Sequence, residues 1–150
     1  MSSPSREPAP VPLIALAFRA FRAMEADMVR SAHDGGHPEV KRTHNAVFAT
    51  LRRDGMRTVD MAAEMGITRQ SMGEVVRDMV ELGLLEMRPD PADRRAKIVV
   101  YTDEGWRLAA KGYSHIKDLE RRFAEELGSE DYEAARRVLE RVPRLLAEDD

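Results

Sequence analysis

Between Thr58 and Thr102 the chain carries two short helical segments three residues apart, then two strand-like runs around a charged turn. Few folds accommodate that order. Val59 to Met65 places Met61, Ala62 and Met65 at helical spacing. Gly66 follows, and glycine tolerates the left-handed conformation that a helix end often needs. Thr68 can then cap a second helix by accepting from the backbone N–H groups of its first turn. Ile67 and Met72 flank that cap at the positions of a hydrophobic staple. Met72, Val75, Val76, Met79 and Val80 continue as one apolar stripe, and Gly83 closes the helix. Leu84 to Arg88 and Lys97 to Tyr101 read as strands. The turn between them, Pro89 to Arg95, carries paired arginines. Two helices on a tight turn followed by a basic-tipped hairpin form the pattern of a winged helix-turn-helix.

Four segments carry a more specific resemblance. They are Gly66-Ile67-Thr68-Arg69-Gln70-Ser71-Met72, Gly83-Leu84-Leu85-Glu86, Asp90-Pro91-Ala92-Asp93-Arg94-Arg95, and Tyr101-Thr102-Asp103-Glu104-Gly105. Together they resemble the MarR family of bacterial regulators across residues 58–105, the wing signature being the most specific part. The resemblance implies a dimeric, mostly helical DNA-binding protein of a kind that often releases DNA on binding a small molecule.

A chain of 150 residues suits one domain with a real core. A hydrophobic fraction of 43% beside 34% charged residues reads as a soluble, helix-rich protein. The net charge of −3 argues mildly against indiscriminate nucleic-acid binding, although a local basic patch can still hold phosphate. The absence of cysteine excludes disulfides, thiol redox sensing and Cys-based metal sites. No apolar run is long enough to span a membrane, and no signal core follows the N-terminus, so the expected location is cytoplasmic.

The flanks of the central stretch read as helices. Residues 1–11, with prolines at 4, 8 and 10, read as a disordered tail. A helix from Pro12 to about Ala32 carries Ile14, Ala17, Phe18, Phe21, Met24 and Met28 on one side. Gly35-Gly36 breaks the chain, and a second helix is expected over Lys41 to Arg53. After the wing, Thr102 caps a helix running to about Leu127, with Gly105 where a capping box would want Glu. That helix spans about 35–40 Å. Its apolar positions are Trp106, Ala109, Tyr113, Ile116, Phe123 and Leu127. Ser129 reads as the cap of a last helix, striped by Tyr132, Ala135, Val138, Leu139, Val142, Leu145 and Leu146 and kinked at Pro143.

The fold class is therefore mainly α with a small β-hairpin wing, with dimerisation helices contributed by both termini. Residues 12–150 form a single winged-helix domain. Within it, 12–34 and 103–148 supply dimerisation helices and 40–102 the DNA-binding lobe. The terminal stripes either pack within one chain or against a second copy; the second is preferred, because helix-turn-helix proteins commonly pair two half-sites.

On a helical wheel, Gln70, Glu74 and Arg77 lie opposite the Met72–Met79 stripe, the face a recognition helix offers to the major groove. Gln70 can contact adenine through both its amide atoms. Arg77 can reach guanine or phosphate. Glu74 can accept from cytosine or pair with Arg77. Thr68, Arg69 and Ser71 stand at the helix N-terminus, which favours phosphate. The resemblance implies that Arg95 enters the minor groove and that Asp93 orients it by an ion pair; Arg94 and Lys97 read as phosphate contacts. The competing reading is a solvated polar face with a surface salt bridge, worth little.

Other constellations fall short. His33, His37 and His44 lie near Asp34 and Glu39, with His115 elsewhere, but their spacing does not make a metal site. No nucleophile–base arrangement or phosphate-binding glycine loop appears, so neither an enzyme nor a cofactor is expected. The family suggests an effector pocket between the dimer helices and the winged lobe. His44, Phe48 and Tyr113 could line it and take a small aromatic acid, unless Phe48 is simply core. The preferred reading is a homodimeric repressor that binds a pseudo-palindromic operator in double-stranded DNA, relieved by such an effector. The alternative is a winged-helix protein-interaction or architectural module without sequence-specific DNA binding. It draws on the acidic balance and on Glu74, Asp78 and Glu81 along the outer part of the second helix of the pair.

Overall fold

The computed structural model describes residues 10–147. Most of the tail expected over residues 1–11 lies outside the described residues, as do residues 148–150. The elements in order are α1 (Leu13–Asp34), a 3₁₀ turn (Arg42–His44), α2 (Asn45–Thr50), α3 (Thr58–Met65) and α4 (Arg69–Glu81). Then come β1 (Leu85–Pro89), β2 (Lys97–Tyr101), α5 (Asp103–Leu127) and α6 (Ser129–Ala147). The class is that of a winged helix, mainly α with one antiparallel hairpin.

The helix-turn-helix forms where its local signals stand. Gly66 takes φ 64° and ψ 30° at the end of α3, a left-handed conformation that suits glycine. Thr68 caps α4, its hydroxyl oxygen accepting from the Ser71 N–H at 3.0 Å. Met72, Val76 and Met79 are buried and join Met61, Ala62, Val47, Leu51, Leu84, Leu85 and Val99 in one core. Val80 and Ile67 are exposed, so the stripe is narrower than its spacing suggested and the staple is open to solvent.

The second helix is shorter than the expected Lys41–Arg53. A 3₁₀ turn opens it and α2 ends at Thr50. Leu51 leaves the helix with ψ 117°, which buries its side chain and redirects the chain toward the sheet. There Met56 forms a single antiparallel bridge to Val99, with N–H···O distances of 3.1 and 2.7 Å. The wing thus gains a third partner that alternation could not reveal in one residue. β1 and β2 pair from Leu85↔Tyr101 to Pro89↔Lys97.

Thr102 caps α5 as expected, accepting from the Gly105 N–H at 3.1 Å. Gly105 is no missing capping Glu, however. A Cβ there would stand 1.8 Å from the Leu84 carbonyl oxygen, so the backbone just before β1 and that of α5 can approach this closely only with glycine at this position. At the other end of α5, Ser129 belongs to α6 itself, and the Gly128 carbonyl accepts the Tyr132 N–H at 3.0 Å. The helix continues past Pro143 to Ala147.

Neither α1 nor α6 contains a buried residue. Ile14 is 80% exposed and Leu146 66%, with Phe18, Phe21, Leu139 and Leu145 also open.

Candidate nucleic-acid interface

The two elements expected to read DNA belong to one lobe, because α4 passes through Leu84 directly into β1. Thr68, Arg69, Gln70, Ser71, Glu74 and Arg77 are all exposed on α4 or at its cap, and Asp93, Arg94, Arg95 and Lys97 are exposed on the wing. At the cap, the Thr68 hydroxyl also donates to Ser71 Oγ at 2.8 Å, which orders both side chains beside the free N–H groups of the first turn. Glu74 accepts from the Gln70 amide at 3.4 Å and is not paired with Arg77. Arg77 instead lies back over Gly73, where an added Cβ would sit 3.4 Å from its Nη1. Among the described residues, Arg69, Arg77, Arg94, Arg95 and Lys97 have no carboxylate partner within ion-pair distance. Arg88, by contrast, is tied to Glu86 on the same strand.

The wing turn differs from the arrangement the resemblance implied. Asp93 Oδ1 accepts from the Arg95 backbone N–H at 3.0 Å, and no ion pair joins the two side chains. The carboxylate therefore shapes the backbone beneath Arg95 and leaves the guanidinium free. Asp90, which sequence reasoning passed over, is the anchor of the turn. It is 7% exposed, accepts from Ala92 N–H at 2.9 Å and pairs with Arg57 at 2.6 Å. The Ala92 N–H and then the Arg57 guanidinium hold its carboxyl below the usual carboxylate range.

Asp78 does not lie on the outer face of α4. It turns toward the body of the lobe, accepting from Lys41 Nζ at 2.9 Å and from His44 Nε2 at 2.7 Å. The Lys41 N–H faces His44 Nδ1 at 3.2 Å, which assigns the ring proton to Nε2. Lys41 first, then His44, lowers the Asp78 pKa. His44 is fully buried in this contact, where its ring holds α4 against the 3₁₀ turn, and it does not line the cavity between α1, α2 and α5.

A cavity of about 60 Å³ does lie between α1, α2 and α5. Phe48 and Tyr113 line it, together with Met28, Leu108 and Ile116; His37 and Lys111 bring polar ends to it. Phe48 is half-buried and serves the core as well, stacking on Tyr101 at 6.3 Å. Tyr101 in turn meets Trp106 at 5.9 Å, and Arg53 lies over the Trp106 ring at 5.0 Å. The Tyr101 hydroxyl is buried without a hydrogen-bond partner among the described residues, and burial raises its pKa well above the ordinary tyrosine range. These rings join the end of the wing to the cavity wall. Sequence periodicity could not show this, because the three residues belong to three different elements.

The histidines do not gather. His33 bonds the Val40 carbonyl, His37 sits between Glu39 and Glu104, and His115 pairs with Asp27 at 2.7 Å. No group of three or more His, Asp or Glu side chains among the described residues is arranged to hold a metal.

A family model described as the MarR family matches residues 41–96, the segment that holds α2 to the wing tip. Over that segment the chain is similar to the MarR family. Among characterised relatives, the HTH-type transcriptional regulator PetP of Rhodobacter capsulatus is 29% identical over 89 residues, 59% of this chain and 51% of PetP. The chain thus spans about half the length of that relative. Solved structures share the fold at lower identity. The crystal structure of a MarR family transcription regulator superposes with a TM-score of 0.75 at 19% identity, covering 90% of this chain and 88% of the other. CouR from Rhodococcus jostii RHA1 bound to p-coumaroyl-CoA gives 0.68 at 21%, covering 87% and 91%. The transcriptional repressor CouR bound to a 23-mer DNA duplex gives 0.67 at 21%, covering 88% and 92%. The helix-turn-helix, β1 and the wing turn lie inside the matched segment, whereas β2 and the long helices α1, α5 and α6 lie outside it. No helix of the described residues is long and apolar enough to cross a membrane.

Proposed function

We propose that the protein is a homodimeric, sequence-specific regulator of transcription, of the repressor kind, that binds a pseudo-palindromic operator in double-stranded DNA. The observation that carries this reading is the set of unpaired cations on α4 and the wing, in a chain whose net charge is −3. Five free cations on one lobe can neutralise phosphates despite an acidic total, since binding depends on the local field. Gln70 and Arg77 read base edges in the major groove; Thr68, Arg69 and Ser71 hold phosphate at the α4 N-terminus. Glu74, held by Gln70, sets the pose of that amide. Arg95 enters the minor groove while Arg94 and Lys97 contact backbone. The lobe spans residues 40–102. Helices from 12–34 and 103–148 bury their exposed apolar faces against a second copy, which supplies the second half-site.

The cavity between α1, α2 and α5 is the effector site in this reading. Its aromatic and aliphatic lining with a lysine and a histidine fits a small aromatic acid. At about 60 Å³ it must widen to admit one, and widening separates α1 and α5 from the lobe. The ligand then weakens DNA binding by its preference for the widened form. The DNA-bound and ligand-bound forms of CouR, which shares the fold, support this assignment. The test is selection of bound duplexes from a randomised DNA pool at fixed salt, followed by titration of the enriched duplex with and without 4-hydroxybenzoate and other aromatic acids. Enrichment of a two-fold symmetric motif is expected. Equal affinity for the selected and random duplexes would instead support the architectural alternative.

A further inference from the structure

Arg57 stands at the N-cap of α3 with an extended backbone, yet its side chain makes no capping bond. It reaches instead to the wing, thirty-three positions along the chain, where Nε and Nη2 both approach Asp90 Oδ2 at 2.6 Å. The other carboxylate oxygen accepts from Ala92 N–H, the Asp90 N–H donates to the Ala96 carbonyl at 3.0 Å, and the Asp90 carbonyl accepts from Asp93 N–H at 3.2 Å. A turn of this kind needs only the bonds within itself. Oδ2 adds nothing to the fold of the turn; it joins the turn to the first helix of the helix-turn-helix. Charge-assisted bonds of this length are among the stronger polar contacts, and the carboxylate is nearly enclosed. The pair closes a ring that runs from α3 through α4 and β1 to the wing turn and back to α3. Arg94 and Arg95 follow Asp90 by four and five residues, so the ring sets their distance from α4.

We propose that Arg57 is a positioning residue for DNA recognition: acting through Asp90, it locks the wing to the helix-turn-helix so that α4 and Arg94–Arg95 address the major groove and the flanking minor groove in one register. This rests on the DNA-binding reading above. A wing freed from α3 still carries its arginines but presents them over a range of positions. Recognition at the centre of each half-site survives, and the preference for narrow, A·T-rich flanks is lost.

The experiment selects bound duplexes from a randomised pool with the full-length wild type, Arg57→Ala, Arg57→Lys and the double variant Arg57→Ala/Asp90→Asn, with melting temperatures measured alongside. Arg57→Ala should enrich the same central bases and lose about fivefold or more in preference for A·T flanks, the equivalent of one mismatched base pair. Arg57→Lys should recover part of that preference. The double variant, which removes the carboxylate charge that Arg57→Ala leaves bare, should resemble Arg57→Ala. If it regains wild-type flanks, repulsion of phosphate by Asp90 is the cause and positioning is overturned. Wild-type flanks in Arg57→Ala, or equal loss at centre and flanks, overturn it too. Should Arg57→Ala fail to fold, Arg57→Lys decides: a weakened flank preference supports the proposal and an unchanged one refutes it. A wild type that enriches no motif overturns the DNA-binding reading itself, an outcome distinct from all of these.

Discussion

In the winged lobe Met61, Met72, Met79, Leu84, Leu85 and Val99 are fully buried, whereas α1 and α6 together hold no buried residue. The charges differ in where they are paired. On the long helices Arg107 is tied to Glu104, Arg121 to Asp118 and Glu125, Arg122 to Glu126, and Arg136 to Glu140 and to Glu120. On the lobe Lys41, Arg52, Arg57 and Arg88 are paired, but the cations of α4 and the wing tip have no ion-pair partner among the described residues. One region has completed its apolar packing and exposes unpaired cations on α4 and the wing tip. The other pairs part of its charge along its own helices, with Arg19, Lys111, Lys117, Arg137, Arg141 and Arg144 outside any ion pair among the described residues, and leaves its apolar surface exposed. Composition averages the two regions and shows neither, which is why a net charge of −3 is compatible with a locally basic face.

The largest expected effect strikes the seam between the two regions. Gly105→Ala drives a methyl into the Leu84 carbonyl and should cost about 3 kcal/mol or more, as overpacking against backbone does. Denaturant melts of the variant measure it; a loss under about 1 kcal/mol would show that the seam gives way easily.

Next comes the apolar face. Val138→Glu or Leu145→Glu should cost about 2 kcal/mol or more of association per protomer while the lobe remains folded. Sedimentation should show the wild type as a dimer and the variants as monomers. A wild type that stays monomeric at micromolar concentration would mean the terminal helices are covered by something else.

The cation side is tested by contrast within the lobe. Gln70→Ala should relax preference at one position in each half-site at a cost of about 1–3 kcal/mol. Arg94→Ala should weaken binding to every sequence alike and reduce the salt slope by about 0.9 for each phosphate no longer neutralised. As a control from the other region, Arg122→Ala should change neither, since that guanidinium is already held by Glu126. Identical sequence profiles for the Gln70 and Arg94 variants would refute the division into base readers and phosphate contacts.

The smallest effect is acid sensitivity. Asp78 and Asp90 on the lobe, and Asp27 at α1 with His115, all have carboxyl pKa values below their ordinary range, and hydrogen bonds are the leading cause of each shift. Depressed folded-state values mean that this stability is fully present above the unfolded carboxylate range. It is lost as pH falls through the lowered values. Stability should therefore be flat above about pH 5 and decline below about pH 4. Asp78→Asn should shallow that decline in a pH series of thermal melts, and an unchanged series would mean the Lys41–His44–Asp78 contact contributes nothing net.

Much of the lobe was legible because its signals are local. Gly66, Thr68 and the Met72–Val76–Met79 spacing act within one or two turns of backbone, and they mark α3, the turn and α4 nearly to the residue. The wing strands follow from short apolar runs around a turn rich in proline and charge. The candidate contacts on α4 also follow, since the face opposite a buried stripe is exposed in any helix.

Long-range contacts were not legible. Whether Lys41–Arg53 forms one helix depended on what Leu51 and Met56 meet, and they meet the core and Val99. Spacing left Asp78 on an outer face because a wheel cannot know that His44 and Lys41 stand beside it. Asp90 looked like one more turn residue until Arg57, on another element, engaged it. Gly105 looked like a weak cap, although its reason is the Leu84 carbonyl. Sequence by itself determined the order of elements, their caps and the amphipathic faces, because those depend on residues a few positions apart. Only the tertiary structure decided which polar groups are consumed inside the lobe and which remain exposed, since an ion pair depends on where distant backbones come to rest.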